Sequence, residues 1–295
     1  MVARYLLRAL ASLVALTSLA VTAATVWAQV PDGGQSVPDV QLRGFRSNAL
    51  RGTEHVAVHL SKGYGSNPRR RYPVIYFLHG LPGQPTSYNG TRIRRLGDSV
   101  DRSGRQAIVV GIQGARRGDT DPEWHDWGPG RDWETAAAGE AVRYVDRNYR
   151  TIAKRRGRAL IGLSAGGYGA TIIGVHHPRT YSVIESWSGY FHPTTPDGND
   201  SLDLGTDRAN RLASVHAYVH RVLGTFARQP TFLGFYVGDR DVRFRMENEL
   251  LDQELTQARV PHTFAVYPGT HSGGFWDQHE DEWIATALSH LAPSR

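Results

Sequence analysis

A serine placed between two glycines, where a strand pattern changes into a helix pattern, constrains this chain more than any other feature. The apolar residues 159–161 lead into Gly162, Ser164 and Gly166, and a stretch of small residues suited to a helix follows. A strand, a sharp turn and a helix in this order hold a serine hydroxyl exposed at the tip of the strand. We expect side chains at positions 162 and 166 to collide with the neighbouring strand and helix, which glycine avoids. Ser164 is therefore the candidate nucleophile.

A histidine downstream of Ser164 is placed to act as a base. A hydroxyl is a poor nucleophile until a base takes its proton and an anion orients that base. The strand-like segment 262–267 leads into a Gly-rich turn that contains His271. Because open α/β sheets place their sites beyond the carboxyl ends of strands, His271 is the predicted general base. The alternative histidines, His262 and His279, fall inside a predicted strand and a predicted helix.

Two acids follow the preceding predicted strand. The apolar run 231–237 ends in a glycine, after which come Asp239 and Asp241. Either carboxylate could orient the base, and Asp239 could instead cap the helix that is predicted to follow. The residues alone leave both acids open.

An upstream loop supplies candidate donors for a developing oxyanion. The buried-strand pattern of residues 72–78 breaks into a loop that contains His79 and Leu81. The backbone N–H of Leu81 can point at the oxyanion formed when Ser164 attacks a carbonyl, and the N–H of Ala165 is the second predicted donor. We expect His79 to form hydrogen bonds within the loop rather than to take part in catalysis.

Together these motifs resemble the esterase D and antigen 85 group of α/β-hydrolases, over roughly residues 40–292. The resemblance rests on four segments: His79-Gly80, residues 162–169, the Gly238-x-x-Asp241 turn and residues 269–272. It implies an α/β-hydrolase fold, with a mostly parallel central sheet and helices on both faces. It also implies a serine carboxylesterase that needs no cofactor. The Gly-x-x-Asp spacing of the family selects Asp241 as the acid.

One branch of this group transfers mycolyl groups, and part of the chain is similar to it. Residues 270–272 followed by Trp276 match that branch, which usually has Asp-Gly at the position of His79-Gly80 and a glutamate at the position of Asp241. The resemblance therefore implies ester hydrolysis first. Acyl transfer to a sugar or glycerol hydroxyl is the first alternative. A non-catalytic envelope binding protein on a hydrolase fold is the second, and the intact Ser, Asp and His set argues against it.

The order of predicted elements agrees with an α/β fold. Strand patterns alternate with helix patterns, which favours a mostly parallel sheet covered on both faces. Residues 54–60 alternate like a strand with one wet face, which is typical of an antiparallel edge. The further predicted strands are 72–78, 107–112, 159–161, 181–187, 231–237 and 262–267. The predicted helices lie near 91–102, 133–148, 208–226, 242–258 and 275–291, and a further helix is expected directly after Ser164.

The N-terminus has the pattern of an export signal. Two arginines precede the mostly apolar residues 9–26, and a small residue at position 28 offers a cleavage site. Residues 1–28 are predicted to be a signal peptide, 29–40 a linker and 41–295 the catalytic domain, which implies a secreted or cell-envelope protein. The alternative is an uncleaved anchor, because the apolar stretch is near the length that spans a bilayer. No later stretch is long and apolar enough to do so.

The composition excludes several classes of protein. Cysteine is absent, so cysteine proteases, thiol redox enzymes and cysteine-bound zinc are excluded. The formal net charge is +6, but its arginine clusters are short and are expected to be solvated faces, and no nucleic-acid module is visible. His125-Asp126 lacks a third partner at metal-ligand spacing. We expect a small-molecule or lipid or sugar ester as the partner.

Two turn-rich segments are expected to shape the cleft. They are residues 113–133 and 192–207, since loops over strand ends form such pockets. The first contains Trp124, Trp127 and Trp133, which could either form an aromatic rim for an acyl chain or sugar, or pack in the core.

Overall fold

The computed structural model describes residues 39–195 and 200–295. The expected signal peptide and nearly all of the expected linker therefore lie outside the described residues. The first strand begins at Val40, so the last residue of the segment expected to be a linker already belongs to the sheet.

Eight strands form one sheet in the order β1-β2-β4-β3-β5-β6-β7-β8. The pairs β1–β2 and β2–β4 are antiparallel, and all the other neighbouring pairs are parallel. Strands β3 and β4 are apolar along their whole length because both of their faces are covered, whereas β6 also buries Glu185 and Ser186. The strands are β1 Val40–Ser47, β2 Gly52–Leu60, β3 Val74–Leu78, β4 Ile108–Ile112, β5 Arg158–Leu163, β6 Val183–Trp187, β7 Phe232–Gly238 and β8 Thr263–Tyr267.

Helices cover both faces of this sheet, as the sequence predicts. The first and last helices pack on one face, and α3, α4, α6 and α7 pack on the opposite face around a larger apolar cluster. Trp133 of α2 packs in a separate small cluster with Ala49 and Leu50. None of the helices in residues 39–195 and 200–295 has the length and apolar character needed to cross a bilayer. The helices are α1 Thr91–Arg102, α2 Trp133–Thr135, α3 Val142–Asn148, α4 Ala165–His176, α5 Asp207–Ala213, α6 Val219–Arg228, α7 Arg245–Gln257 and α8 Gly273–Ser289.

The structure differs from the expected elements in three places. Strand β1 was not predicted, and because it pairs with β2, it is β1 that forms the edge of the sheet. The single helix expected near 208–226 is interrupted, since Ser214 has extended backbone angles and the N–H of Val215 bonds to the carbonyl of Phe191. The helix expected over 133–148 forms, but residues 136–141 make a π-helical turn between α2 and α3.

The parallel strands end at one edge of the sheet, and the loops that leave this edge carry the predicted site. Strands β3, β5, β7 and β8 lead respectively to the loop of residues 79–81, to Ser164, to Asp241 and to His271. This is the edge at which open α/β sheets bind their ligands.

Candidate active site

Ser164 occupies a strained turn between the last residue of β5 and the first residue of α4. Its φ of 54° and ψ of −124° lie in a region that side chains with a Cβ rarely adopt. Such a conformation costs about 1–3 kcal/mol and persists where its surroundings fix it. The backbone N–H of Ser164 donates to the carbonyl of Trp187 at the end of β6, at 2.9 Å. The turn is thus fastened to the neighbouring strand.

The two glycines around Ser164 are required by close backbone contacts. A Cβ on Gly162 would lie 2.0 Å from the carbonyl oxygen of Gly166. A Cβ on Gly166 would lie 2.0 Å from the carbonyl oxygen of Leu78 on the neighbouring strand β3. The expected collisions at positions 162 and 166 are therefore confirmed.

His271 reaches Ser164 from the loop between β8 and α8. Its Nε2 lies 3.0 Å from the Oγ of Ser164. The rings of Phe244 and Trp276 both contact the imidazole edge-on, with centroids 5.1 Å from it. The indole N–H of Trp276 donates to the Oγ of Ser188 at 3.1 Å, which fixes the position of that ring. The imidazole is therefore held between two aromatic side chains.

Asp241 contacts the other nitrogen of this histidine. Its Oδ2 lies 2.8 Å from His271 Nδ1, and its Oδ1 accepts hydrogen bonds from the backbone N–H groups of Arg243 and Phe244, each at 3.2 Å. The residue is only 1% exposed. Because a carboxylate only accepts hydrogen bonds, Nδ1 carries the proton and the lone pair of Nε2 faces the hydroxyl of Ser164.

Asp239 has a different partner. Its Oδ1 accepts a hydrogen bond of 2.8 Å from the backbone N–H of Gly269, and this bond lowers the pKa of its exposed carboxyl. It therefore anchors the start of the loop that carries His271. Of the two acids that the residue pattern left open, Asp241 is the one in contact with His271.

The two predicted oxyanion donors belong to segments that adjoin Ser164. A Cβ added to Gly80, the residue before Leu81, would lie 3.0 Å from the Cβ of Ser164. Ala165 is the first residue of α4, so its N–H has no partner one turn earlier in the helix. The arrangement is suited to binding a negatively charged oxygen next to Ser164.

A comparison with protein families gives a single assignment for most of this chain. The model of the family described as "Putative esterase" matches residues 47–283, which include every site residue named above. The chain belongs to this esterase family.

Among curated relatives, the esterase is similar to mycobacterial proteins. It is 28% identical over 162 residues to esterase Rv1288 of Mycobacterium tuberculosis, which covers 55% of this chain and 34% of that protein. It is 30% identical over 140 residues to the diacylglycerol acyltransferase/mycolyltransferase Ag85B of Mycobacterium avium, covering 45% of this chain and 40% of that protein. The chain thus spans about a third of the length of the mycobacterial esterase that it matches.

Solved structures share its fold over nearly their whole length. A ferulic acid esterase superposes with a TM-score of 0.70 at 26% identity, covering 86% of this chain and 98% of that one. The S-formylglutathione hydrolase FrmB of Staphylococcus aureus superposes with a TM-score of 0.67 at 17% identity, covering 84% and 98%. The fold of this esterase is therefore that of the α/β-hydrolases.

His79 of the esterase has the structural contacts expected from its sequence position. Its Nε2 accepts a hydrogen bond of 3.0 Å from the N–H of Gly114, so Nδ1 carries the proton and donates to the carbonyl of Gly80 at 2.8 Å. Burial lowers the pKa of His79 to about 4, which keeps the ring neutral. Its bond to Gly80 fixes the loop that leads to Leu81.

Of the three tryptophans in the loop 113–133, two are buried and one is partly exposed. Trp124 is buried and fills the space over Gly114 and Gly169, where an added Cβ would come within 2.3 Å and 2.6 Å of its ring. Trp133 is also buried, and its indole N–H donates to Asp119 at 2.9 Å. These two rings pack in the interior and do not form a rim. Trp127 alone is partly exposed.

The other two histidines considered as bases, His262 and His279, contact residues outside the candidate site. His262 bonds to Asp252 at 2.9 Å, and His279 stacks on Trp283 in α8. Asp126 accepts hydrogen bonds from Thr135. Within the part of the chain that the structure describes, no three His, Asp or Glu side chains are grouped to hold a metal ion.

Sequence reasoning missed two residues that hold His271. Phe244 lies in a polar segment after Asp241, and its contact with the imidazole depends on how α7 begins. Ser188 follows β6 with a φ of 50° and binds Trp276. Ser188 could have been found from its position at the carboxyl end of a predicted strand, because the other site residues lie at this same edge of the sheet.

Proposed function

We propose that this protein is an exported serine esterase that hydrolyses carboxylic esters through Ser164, His271 and Asp241. The observation that carries the proposal is the continuous hydrogen-bonded series from Asp241 to His271 to Ser164, at 2.8 Å and 3.0 Å. Residues 1–28 act as its signal peptide, and residues 41–295 form the catalytic domain.

The three side chains support the first half of the reaction in this way. His271 Nε2 accepts the proton of the Ser164 hydroxyl as Oγ attacks the ester carbonyl carbon. The buried carboxylate of Asp241 holds the imidazole in the required tautomer and stabilises the imidazolium that forms. His271 then gives the proton to the leaving alcohol oxygen, and the acyl group stays on Ser164.

The developing oxyanion is stabilised by the backbone N–H groups of Leu81 and Ala165. These donors belong to a fixed loop and a helix terminus, so they need little reorganisation as charge develops. The loss of one such donor typically costs about 100-fold to 1,000-fold in rate. Water, activated by His271, then releases the acid from Ser164.

The alternative is transfer of the acyl group to a sugar or glycerol hydroxyl in place of water. It is favoured by the likeness to the mycolyltransferase Ag85B. The broader match to the esterase family and to a ferulic acid esterase favours hydrolysis.

A panel of p-nitrophenyl esters from acetate to palmitate, with a feruloyl ester added, tests the proposal. We expect turnover of at least one ester and a loss of about 10⁴-fold or more in kcat for Ser164→Ala, because the nucleophile is absent. Adding trehalose or glycerol and measuring new esters separates transfer from hydrolysis. Undiminished turnover by a folded Ser164→Ala variant would refute the assigned nucleophile.

A further inference from the structure

Exposed apolar side chains are concentrated in one part of the molecule. In the described residues, five of the six large apolar side chains that are well exposed fall between residues 212 and 250. Two of them, Val242 and Met246, are 95% and 83% exposed. The five are Leu212, Leu223, Val242, Met246 and Leu250. Single exposed apolar residues are ordinary on a surface, whereas exposed apolar residues grouped in a larger patch are typical of an interaction site.

The same part of the chain is strongly basic. Residues 207–238, from the start of α5 to the end of β7, contain four arginines and a single acid, Asp207. Arg208, Arg211 and Arg221 line a cavity of about 210 Å³ between α5 and α6, together with Tyr218. None of these three arginines makes an ion pair within the described residues. Their charge is therefore available to an anionic partner.

The carboxylates of α7, by contrast, already have cationic or histidine partners. Glu249 pairs with Arg245 at 2.8 Å. Glu247 and Glu254 both contact His216, which lies between α5 and α6, at 3.0 Å and 2.5 Å. Within the described residues, none of these three carboxylates forms an ion pair with an arginine of α5 or α6.

Helices α6 and α7 expose their outer faces in the same general direction. Val222 and Phe226 of α6 and Leu251 and Leu255 of α7 are buried in the same apolar cluster against the sheet. Because the buried faces point to one cluster, the opposite faces point away from the sheet on the same side. We call α5, α6 and the start of α7, with the five exposed apolar residues, the outer face.

The outer face lies next to the candidate active site. Val242 directly follows Asp241, whose carboxylate contacts His271. The hydroxyl of Tyr168, four residues after Ser164, donates to the carbonyl of Ala213 at the end of α5, at 2.8 Å. The parts of the outer face at Val242 and at the end of α5 therefore lie near the candidate active site.

We propose that the outer face binds an anionic lipid surface. Arginines beside exposed leucine, valine and methionine side chains fit such a surface, because the cations attract the headgroups while the apolar side chains enter the acyl boundary. A lipid surface also accepts apolar and cationic groups spread over several helices, without a shaped groove. The binding is a property beyond the proposed esterase activity and does not rest on it, since it needs no turnover.

Vesicle binding tests this proposal with the protein purified from residue 29 onward, so that the apolar N-terminal stretch cannot insert. Co-sedimentation is measured with vesicles of phosphatidylcholine alone and of phosphatidylcholine mixed with phosphatidylglycerol. We expect binding to the anionic vesicles only, and weaker binding at high salt. The variants are Arg211→Glu with Arg221→Glu, and Val242→Ser with Met246→Ser. Each pair should weaken binding about tenfold or more.

The matched control is Arg69→Glu, an exposed arginine in the loop that enters β3 at the opposite edge of the sheet. It should bind as the unaltered protein does, and all variants should keep p-nitrophenyl acetate hydrolysis and their thermal unfolding midpoint. Absence of binding to anionic vesicles, or an equal loss in Arg69→Glu, would overturn the proposal. So would a dimer, detected by light scattering, that Val242→Ser with Met246→Ser converts to a monomer, because a second copy would then be the partner.

Discussion

At the scale of single residues, the hydrogen bonds that each side chain forms fix its orientation in the candidate site. Asp241 is buried and receives two backbone N–H groups on one oxygen, so only its other oxygen is directed at His271. Asp239, two residues earlier, is exposed and bonds to Gly269. Asp241 therefore contacts the imidazole of His271, whereas Asp239 holds the start of the loop that carries this histidine.

Neutralising each of these acids separately should give unequal results. We expect Asp241→Asn to lower kcat by about 10⁴-fold, because an amide at this position favours the wrong tautomer of His271. Asp239→Asn is the matched control and should change kcat by less than about tenfold, since an amide oxygen can still accept from Gly269. Steady-state kinetics on one p-nitrophenyl ester measures both. Equal losses in the two variants would contradict the assignment of Asp241.

At the scale of elements, α1 and α8 are joined by a buried carboxylate. Glu280 of α8 is 1% exposed, and it receives Arg92 at 2.6 Å and Arg95 at 3.0 Å from α1. Removing one member of a buried ion pair costs more than the pair contributes, because the remaining charges lose a partner, and Arg92 and Arg95 would here keep only Asp277. By contrast, Arg94 and Asp98 form an exposed pair within α1.

The two ion pairs should differ in their contribution to stability. Glu280→Ala is expected to lower the free energy of unfolding by about 3 kcal/mol, and Asp98→Ala by less than about 1 kcal/mol. Urea unfolding followed by circular dichroism measures the difference. A loss in Asp98→Ala that matches the loss in Glu280→Ala would show that burial does not set the cost here.

The sequence patterns predicted the strands and helices that form because of their own local residue pattern, and they missed features that depend on contacts with distant residues. The apolar run before Ser164 predicts a strand because β5 is buried in the middle of the sheet. The run before His271 is rich in aromatic and β-branched residues, which predicts a strand although β8 lies at the edge and is partly exposed. Strand β1 was missed because its alternating pattern includes Gly44 and two arginines, and it forms through pairing with β2. The break at Ser214 and the burial of Trp124 likewise depend on distant partners, namely the carbonyl of Phe191 and the space over Gly169.

At the scale of the whole molecule, buried acid and histidine groups give stability a definite pH dependence. Burial raises the pKa of Glu247, but hydrogen bonds from His192 and His216 outweigh it and bring the pKa to about 2. Burial lowers the pKa of His216, but its bonds to Glu247 and Glu254 outweigh that effect and raise it above 6.5. Burial also raises the pKa of Glu185 to about 8.

Above pH 6.5, His216 and Glu185 both lower the free energy of unfolding as the pH rises. The contribution of Glu247 is present above pH 4.5 and is lost as the pH falls towards 2. The contribution of His216 is present below pH 6.5 and is lost as the pH rises through its raised pKa. Glu185 destabilises the fold as the pH rises from 4.5 towards 8, because only the unfolded chain ionises there.

The thermal unfolding midpoint should therefore be highest near pH 4.5 and fall by several degrees towards pH 9, most steeply above pH 6.5. Glu185→Gln should reduce this fall, because the amide has no proton to lose. His220→Asn, at an exposed position on α6, is the control and should leave the profile unchanged. Calorimetry across this range measures all three proteins. A midpoint that rises from pH 6.5 to 9 would contradict the analysis.

The account as a whole depends on Ser164 being the activated nucleophile. Reaction with a fluorophosphonate probe, followed by peptide mass spectrometry, tests this most directly. We expect one adduct, on Ser164, formed at least about 100-fold more slowly in His271→Ala because the base that takes the hydroxyl proton is absent. An adduct on another serine, or esterase activity that persists after Ser164 has been fully modified, would contradict the central claim.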